Sequence, residues 1–212
     1  MKNILHRTWR IIRIPLGVLL ILYIGLVVYR IPAAFEREKT KETVARIHAQ
    51  KLTLADVTGE RLPPVPDPSE VDATIEGIDA NSNGIRDDVE LAIFKLYPNS
   101  ARIRAAELQY AKALQFYFID VFNSETLVAA IQEEERGDFC IAETTPKVDL
   151  SDTEENIRQA FALADEYSKE VEDLMFNIPE RRQKYQEIFK YMTSYGSIGG
   201  ENCDIDLPSL LN

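Results

Sequence analysis

The sequence predicts an all-α protein with an apolar N-terminal helix, a stalk, and a helical bundle reached through a proline-rich spacer. Three observations lead there. Residues Ile14 to Tyr29 form an uncharged apolar run. Beyond residue 100, apolar side chains recur at spacings of three and four, the period of a helix face. No stretch keeps the period-two alternation of a strand, apart from the short run Thr74 to Ile78.

A bilayer sets the length that such an apolar run must have. Residues 11–31 are long enough to span one if Arg13 and Arg30 place their charges among the headgroups. A cleaved signal peptide is the rival reading. The run is longer than a usual signal core, it ends in Arg30, and Ile31-Pro32-Ala33-Ala34 lacks a small-x-small cleavage site. An uncleaved signal anchor at 11–31 behind a cytoplasmic tail at 1–10 is therefore expected. Residues 32–60 then read as a helical stalk with the thin apolar edge of Val44, Ile47 and Leu54. Residues 61–70 contain Pro63, Pro64, Pro66 and Pro68, which forbid helix and favour an extended linker.

A domain at 71–212 follows, opening on a twelve-residue pattern at 79–90. Oxygen-bearing side chains stand at Asp79, Asn81, Asn83, Asp87 and Glu90, positions 1, 3, 5, 9 and 12, with Gly84 at position 6. A loop curling around one ion turns alternate side chains inward, and calcium takes six to eight oxygens at about 2.3–2.6 Å. The expected calcium ligands are the side chains of Asp79, Asn81 and Asn83, the main-chain carbonyl of Ile85, Asp87 directly or through water, and a bidentate Glu90. Gly84 takes the bend at positive φ. Asparagine at positions 3 and 5 lowers the charge, and Arg86 replaces the usual hydrophobic residue at position 8. Both point to weak binding. The competing reading is a plain Asx-rich turn capping the next helix, but such a turn does not require Glu90.

The remaining elements read as helices. Val89–Tyr97 leaves the loop and stops at Pro98. Ala101 to Phe122 carries Ile103, Ala106, Tyr110, Ala113, Tyr117 and Val121 on one face and is expected to be central. Ser124 caps a helix over Glu125–Arg136, with Glu133, Glu134 and Glu135 at a solvated end and Gly137 as its stop. Ser151 or Asp152 caps a helix that places Ile157, Phe161, Ala164, Ser168, Val171 and Leu174 inward. Pro179 opens the last helix, over Glu180–Tyr195, with Tyr185, Ile188, Phe189 and Met192 facing the core.

The chain has two cysteines, Cys140 and Cys203, and no C-x-x-C. A disulfide between them would pin the tail to the body, and two free thiols are the alternative if the domain lies in a reducing compartment. Lys/Arg residues flank both ends of the anchor, so their count alone does not orient it. A short N-terminal tail, paired cysteines and a weak calcium loop together suit an oxidising, calcium-rich space. Expected is a single-pass protein of a bacterial inner membrane, with its C-terminal domain in the periplasm.

Charge narrows the partners. Taking the five basic residues of the first 32 away from the net −11 leaves −16 on the rest, a body that attracts cations and repels nucleic acid. The membrane, through residues 11–31, is the one partner the sequence names; no protein partner or oligomeric state follows from it. Enzyme classes fare poorly, since the globular part has only His48, with no Gly-x-Ser-x-Gly and no phosphate-cradling glycine loop. The expectation is a non-enzymatic, membrane-anchored calcium-binding protein whose ion stabilises a helical interaction domain. The alternatives are a metal-independent envelope scaffold and a carboxylate-based hydrolase.

The block from Pro66-Asp67-Pro68-Ser69-Glu70 through Thr74-Ile75-Glu76-Gly77-Ile78 to the Asp79–Glu90 loop resembles a group of largely uncharacterised secreted or membrane-anchored bacterial proteins. Arg182-Gln183-Lys184-Tyr185 and Cys203-Asp204 resemble the end of that pattern. The loop itself is similar to EF-hand-like and thrombospondin type 3-like calcium loops. The resemblance covers about residues 60–206 and implies calcium binding and an envelope location, with no activity.

Overall fold

The computed structural model describes residues 2–147 and 152–210. Among them are seven α-helices and no strand. The chain divides into two compact units, 1–42 and 43–212. Helix α1 (Lys2–Ala49) supplies the whole described part of the first unit and the opening turns of the second. Its Pro15–Ala49 portion is long and apolar enough to cross a membrane, and the apolar window within it has no buried residues.

The second unit is the helical body. After α1 come α2 (Leu54–Thr58), α3 (Asp87–Leu96), α4 (Ala101–Ile119), α5 (Ser124–Thr144), α6 (Glu154–Met175) and α7 (Pro179–Ile188). Short 3-10 turns follow at Phe189–Tyr191 and Leu207–Ser209. The body starts earlier than the expected boundary at 71. Ile47, Leu52 and Val57 are fully or almost fully buried in its core, so residues 43–60 are part of the packed domain rather than a free stalk. Of the thin edge expected from Val44, Ile47 and Leu54, Ile47 is buried, Val44 is partly buried and Leu54 is 55% exposed; Leu52 and Val57 complete the core contacts of this stretch.

Helix α4 is the centre, as its apolar face predicts, but it is buried on all sides. Arg104, Glu107, Gln109, Lys112 and Gln115 lie inside with Leu108, Leu114 and Tyr117. These polar groups anchor the surrounding segments. The Arg104 guanidinium donates to the carbonyls of Tyr97 (2.6 Å) and Pro98 (2.9 Å) and to Val57 (3.3 Å). Gln115 Nε2 donates to Glu76 O at 2.7 Å, fixing the chain just ahead of the 79–90 loop.

Several expected boundaries move for identifiable reasons. Helix α5 is capped by Asn123 and continues to Thr144, straight through Gly137. A Cβ at Gly137 would sit 2.9 Å from Tyr110 Cα, so this glycine lets α4 and α5 cross closely and does not end a helix. The Glu133–Glu135 run is consequently no solvated end. Glu133 is buried in an ion network with Lys51 (3.0 Å) and Arg136 and meets His48 Nδ1 at 2.8 Å, while Glu134 accepts from the Tyr117 hydroxyl.

Helix α6 is capped by Thr153, not Asp152, and Ser151 lies outside the described residues. Its buried line runs through Ala160, Ser168, Val171 and Met175, leaving Phe161 62% exposed instead of inward. Helix α7 ends at Ile188, so Phe189 and Met192 are exposed past its end. The short run Thr74 to Ile78 forms bends and irregular backbone, not a strand.

The tail is pinned as expected, with Cys140 of α5 and Cys203 joined by a disulfide. Hydrogen bonds reinforce the pin. Gln109 Nε2 donates to Asn202 O and its Oε1 accepts from Asp204 N, both at 2.7 Å. Asp204 in turn accepts from Leu52 N (3.0 Å) and Arg136 (2.9 Å), tying the tail to the first turns of the body.

Candidate functional site

The loop 79–90 is built by its own side chains. Asp79 accepts from the N–H groups of Asn83 (3.1 Å) and Gly84 (2.9 Å), Asn81 Oδ1 from Asn83 N (3.2 Å), and Asn83 Oδ1 from Ile85 N (2.9 Å). Side chains two to five residues back thus satisfy backbone donors that a tight curl leaves unpaired. Gly84 has φ +87°, the left-handed conformation the pattern requires of position 6. Asp87 N donates to Ile78 O at 2.8 Å, and the Asp87 carboxylate returns to Ala80 N at 3.0 Å, which closes the loop where α3 begins.

Glu90, one turn into α3, is completely buried. Its Oε2 accepts from the side-chain amides of Asn81 (3.0 Å) and Asn83 (2.9 Å), while its Oε1 has no hydrogen-bond partner. Burial pushes its carboxyl up to about 7. The two asparagines oppose that rise, and Asp56 and Asp87 add to it. Burial likewise raises Asp87, against the hydrogen bond from Ala80 N and with Asp79 and Asp88 adding to the rise.

The structure therefore draws Glu90, Asn81 and Asn83 together, with Asp79 and Asp87 engaged on backbone N–H groups around them. Ile85 puts its side chain in the core. Among the described residues, no group of three or more His, Cys, Asp or Glu side chains is gathered so as to hold a metal ion. Any cation here would depend on the asparagine and main-chain oxygens as well as on Glu90. The orphaned, buried Oε1 of Glu90 fits such a role, because a carboxylate oxygen without water or donor is costly unless a proton or cation meets it.

Four residues outside the expected ligand set frame the loop. Arg61 Nη2 donates to Asn81 O (3.0 Å), and Asn81 Nδ2 returns to Arg61 O (2.8 Å). Asp56, almost fully buried on α2, lies 3.6 Å from Arg61 Nη1. Lys112 of α4 lies behind Gly84; its burial lowers the ammonium pKa, and Asp204, Asp56 and Asp79 counteract that. Arg86, which breaks the pattern at position 8, is fully buried. It pairs with Asp88 (2.9 and 2.7 Å) and donates to Met175 O (3.2 Å) and Leu174 O (3.1 Å), the last carbonyls of α6.

A second buried arginine holds the lead-in. Arg181 of α7 donates to Val71 O (3.1 Å), Thr74 O (3.2 Å) and Ile75 O (2.9 Å) and pairs with Asp72 at 2.7 Å. In the sequence Arg86 reads only as a departure at position 8 of the loop, and nothing there sets Arg181 apart from a surface arginine. One signal was available: Arg86 stands where the calcium-loop pattern expects a residue that packs inward.

An open, acidic groove of about 580 Å³ lies between α5 and α6, lined by Glu134, Asp138, Asp165, Glu172 and Lys169 among others. Tyr110 donates to Glu172 at 3.1 Å, and burial holds Glu134 up at about 7 despite its hydrogen bond from Tyr117. Comparison with known proteins finds no matching family model, no matching curated protein and no matching solved structure.

Proposed function

We propose that this chain is a membrane-anchored, extracytoplasmic calcium-binding protein without enzymatic activity, in which the ion stabilises a helical interaction domain. The observation that supports the reading is Glu90 Oε1, buried and unpartnered at position 12 of a loop curled by hydrogen bonds from its own backbone N–H groups to Asp79, Asn81 and Asn83. Calcium would be held by Asp79, Asn81, Asn83, the Ile85 carbonyl, Asp87 and Glu90. It would supply positive charge to buried carboxylates and join the start of α3 to the segment before it.

The disulfide and the apolar helix α1 support a place in an oxidising space beside a bacterial inner membrane. A metal-independent scaffold is the second reading. It is favoured by Arg86 and Arg181, which already fasten the loop and its lead-in to α6 and α7.

Calorimetric titration of calcium into the full chain in detergent separates the two. The calcium reading expects one site per chain, lost in Glu90→Gln. A flat titration in the native protein would leave the scaffold.

A further inference from the structure

Glu107, in the middle of α4, is fully buried, and neither of its carboxyl oxygens has a hydrogen-bond partner. It shares one face of α4 with Arg104 and Tyr110, at spacings of three. Both neighbours lead to α6. Arg104 holds the main-chain oxygen of Tyr97 at 2.6 Å, and the Tyr97 hydroxyl donates to Glu170. Tyr110 donates to Glu172 at 3.1 Å. The Tyr97 ring also packs edge-on against Tyr167 of α6, with 5.7 Å between centroids. Glu107 thus lies between two tethers to the same stretch of α6. The titratable groups that face it are Tyr97, at the end of α3, and Tyr167 and Glu170 on α6.

A tyrosine hydroxyl has one proton to give and lone pairs to receive another. Tyr97 gives its proton to Glu170, so toward Glu107 it offers only an acceptor, which a protonated carboxyl matches and a carboxylate does not. A carboxylate there would be buried without a donor and beside a like charge. We propose that the proton on Glu107 is a pH-sensitive latch on α6. With the proton in place, Glu107 donates to the Tyr97 hydroxyl, Tyr97 donates to Glu170, and α4, the end of α3 and α6 are joined. When the proton passes to bulk water, Glu107 and Glu170 repel each other and α6 opens locally. This helix is suited to opening, because it buries only Ala160, Ser168, Val171 and Met175.

Burial, with the Glu170 charge adding and the Tyr97 hydroxyl opposing, holds Glu107 at about 8 against an ordinary 4.5. A group raised in the folded state stabilises fully below its unfolded value and ceases to do so as pH rises through its folded one. The latch is therefore closed at neutral pH and released in mild alkali.

Hydrogen exchange of the full-length protein in detergent tests this, read by mass spectrometry over α5 and α6 at about pH 6 and about pH 9.5, either side of the Glu107 transition, and corrected for the intrinsic exchange rate. Native α6 is expected to lose protection about tenfold or more at the higher pH while α5 keeps its own. Glu107→Gln, which stays uncharged, should show no such loss. Glu134→Gln should still show it, although Glu134 also titrates near 7. Equal protection of native α6 at both pH values, an equal loss in α5, or a loss that persists in Glu107→Gln would overturn the proposal. If Glu107→Gln does not fold, Glu170→Gln decides: it keeps an acceptor for Tyr97 and removes the opposing charge, so release should move to higher pH, and an unmoved release would overturn the latch.

Discussion

Arg86, the eighth residue of the loop, donates through Nη1 to the main-chain oxygen of Met175, 89 positions further along the chain. The loop is thereby fastened to the C-terminal end of α6, where unpaired carbonyls and the helix dipole favour a cation. Its partner Asp88 keeps the buried guanidinium paired.

Replacing Arg86 by methionine keeps its bulk but strands Asp88 and the carbonyls of Leu174 and Met175. Breaking one side of a buried pair costs about 3–5 kcal/mol, and Asp88 retains some access to water, so a loss of about 3 kcal/mol is expected. Urea denaturation of the full chain in detergent reads it as a lowered midpoint with little change in slope.

At Gly137 two effects compete. Alanine is the better helix former by about 1 kcal/mol, but its Cβ would sit 2.9 Å from Tyr110 Cα and 3.3 Å from Tyr110 Cβ. Overpacking between two main chains costs about 1–3 kcal/mol and wins. Gly137→Ala is expected to melt lower than the native protein. Equal or higher melting would mean that Gly137 does not set the α4–α5 crossing.

The Cys140–Cys203 disulfide spans 63 positions of sequence, and in the chain-entropy model closing so long a loop stabilises by about 4 kcal/mol. A double serine variant should lose much of that. Thiol titration of the oxidised, unfolded protein should find no reactive thiol.

Acidity acts through the buried acids on α4 and α5. Burial, with Glu170 adding, raises Glu107 to about 8, and burial raises Glu134 to about 7, from an ordinary 4.5. The folded state therefore binds more protons than the unfolded state between those values. Stability contributed by these groups is present below about pH 4.5 and is lost as pH rises toward 7 and 8. Denaturation midpoints should fall over that range, and Glu107→Gln or Glu134→Gln should flatten the fall. An unchanged slope in both variants would refute the assignment.

Much of this was legible in the sequence. The apolar period of Ala106, Tyr110, Ala113 and Tyr117 marked α4 as central because a stripe that wide has to be covered. Gly84 at a bend and Asp79 ahead of it followed from local chain geometry, where the range of interaction is a few residues. What escaped depends on distant partners. Gly137 reads as a helix stop until Tyr110 is seen against it, and Glu133 reads as surface until Lys51 and Arg136 arrive. Phe161 fits the apolar stripe of α6, but the buried line runs one residue earlier, through Ala160. Arg86 looked like a flaw in a ligand pattern, and its bonds show a tether to another helix.

Thermal melting of the full chain in detergent, in millimolar calcium and then in excess EDTA, tests the central claim most directly. A ligand at a hundredfold excess over Kd stabilises by about 2.7 kcal/mol, which for a domain of this size is a rise of roughly 5–10 °C. The native protein is expected to show that rise, and Glu90→Gln to lose it. Identical melting in calcium and in EDTA would contradict it.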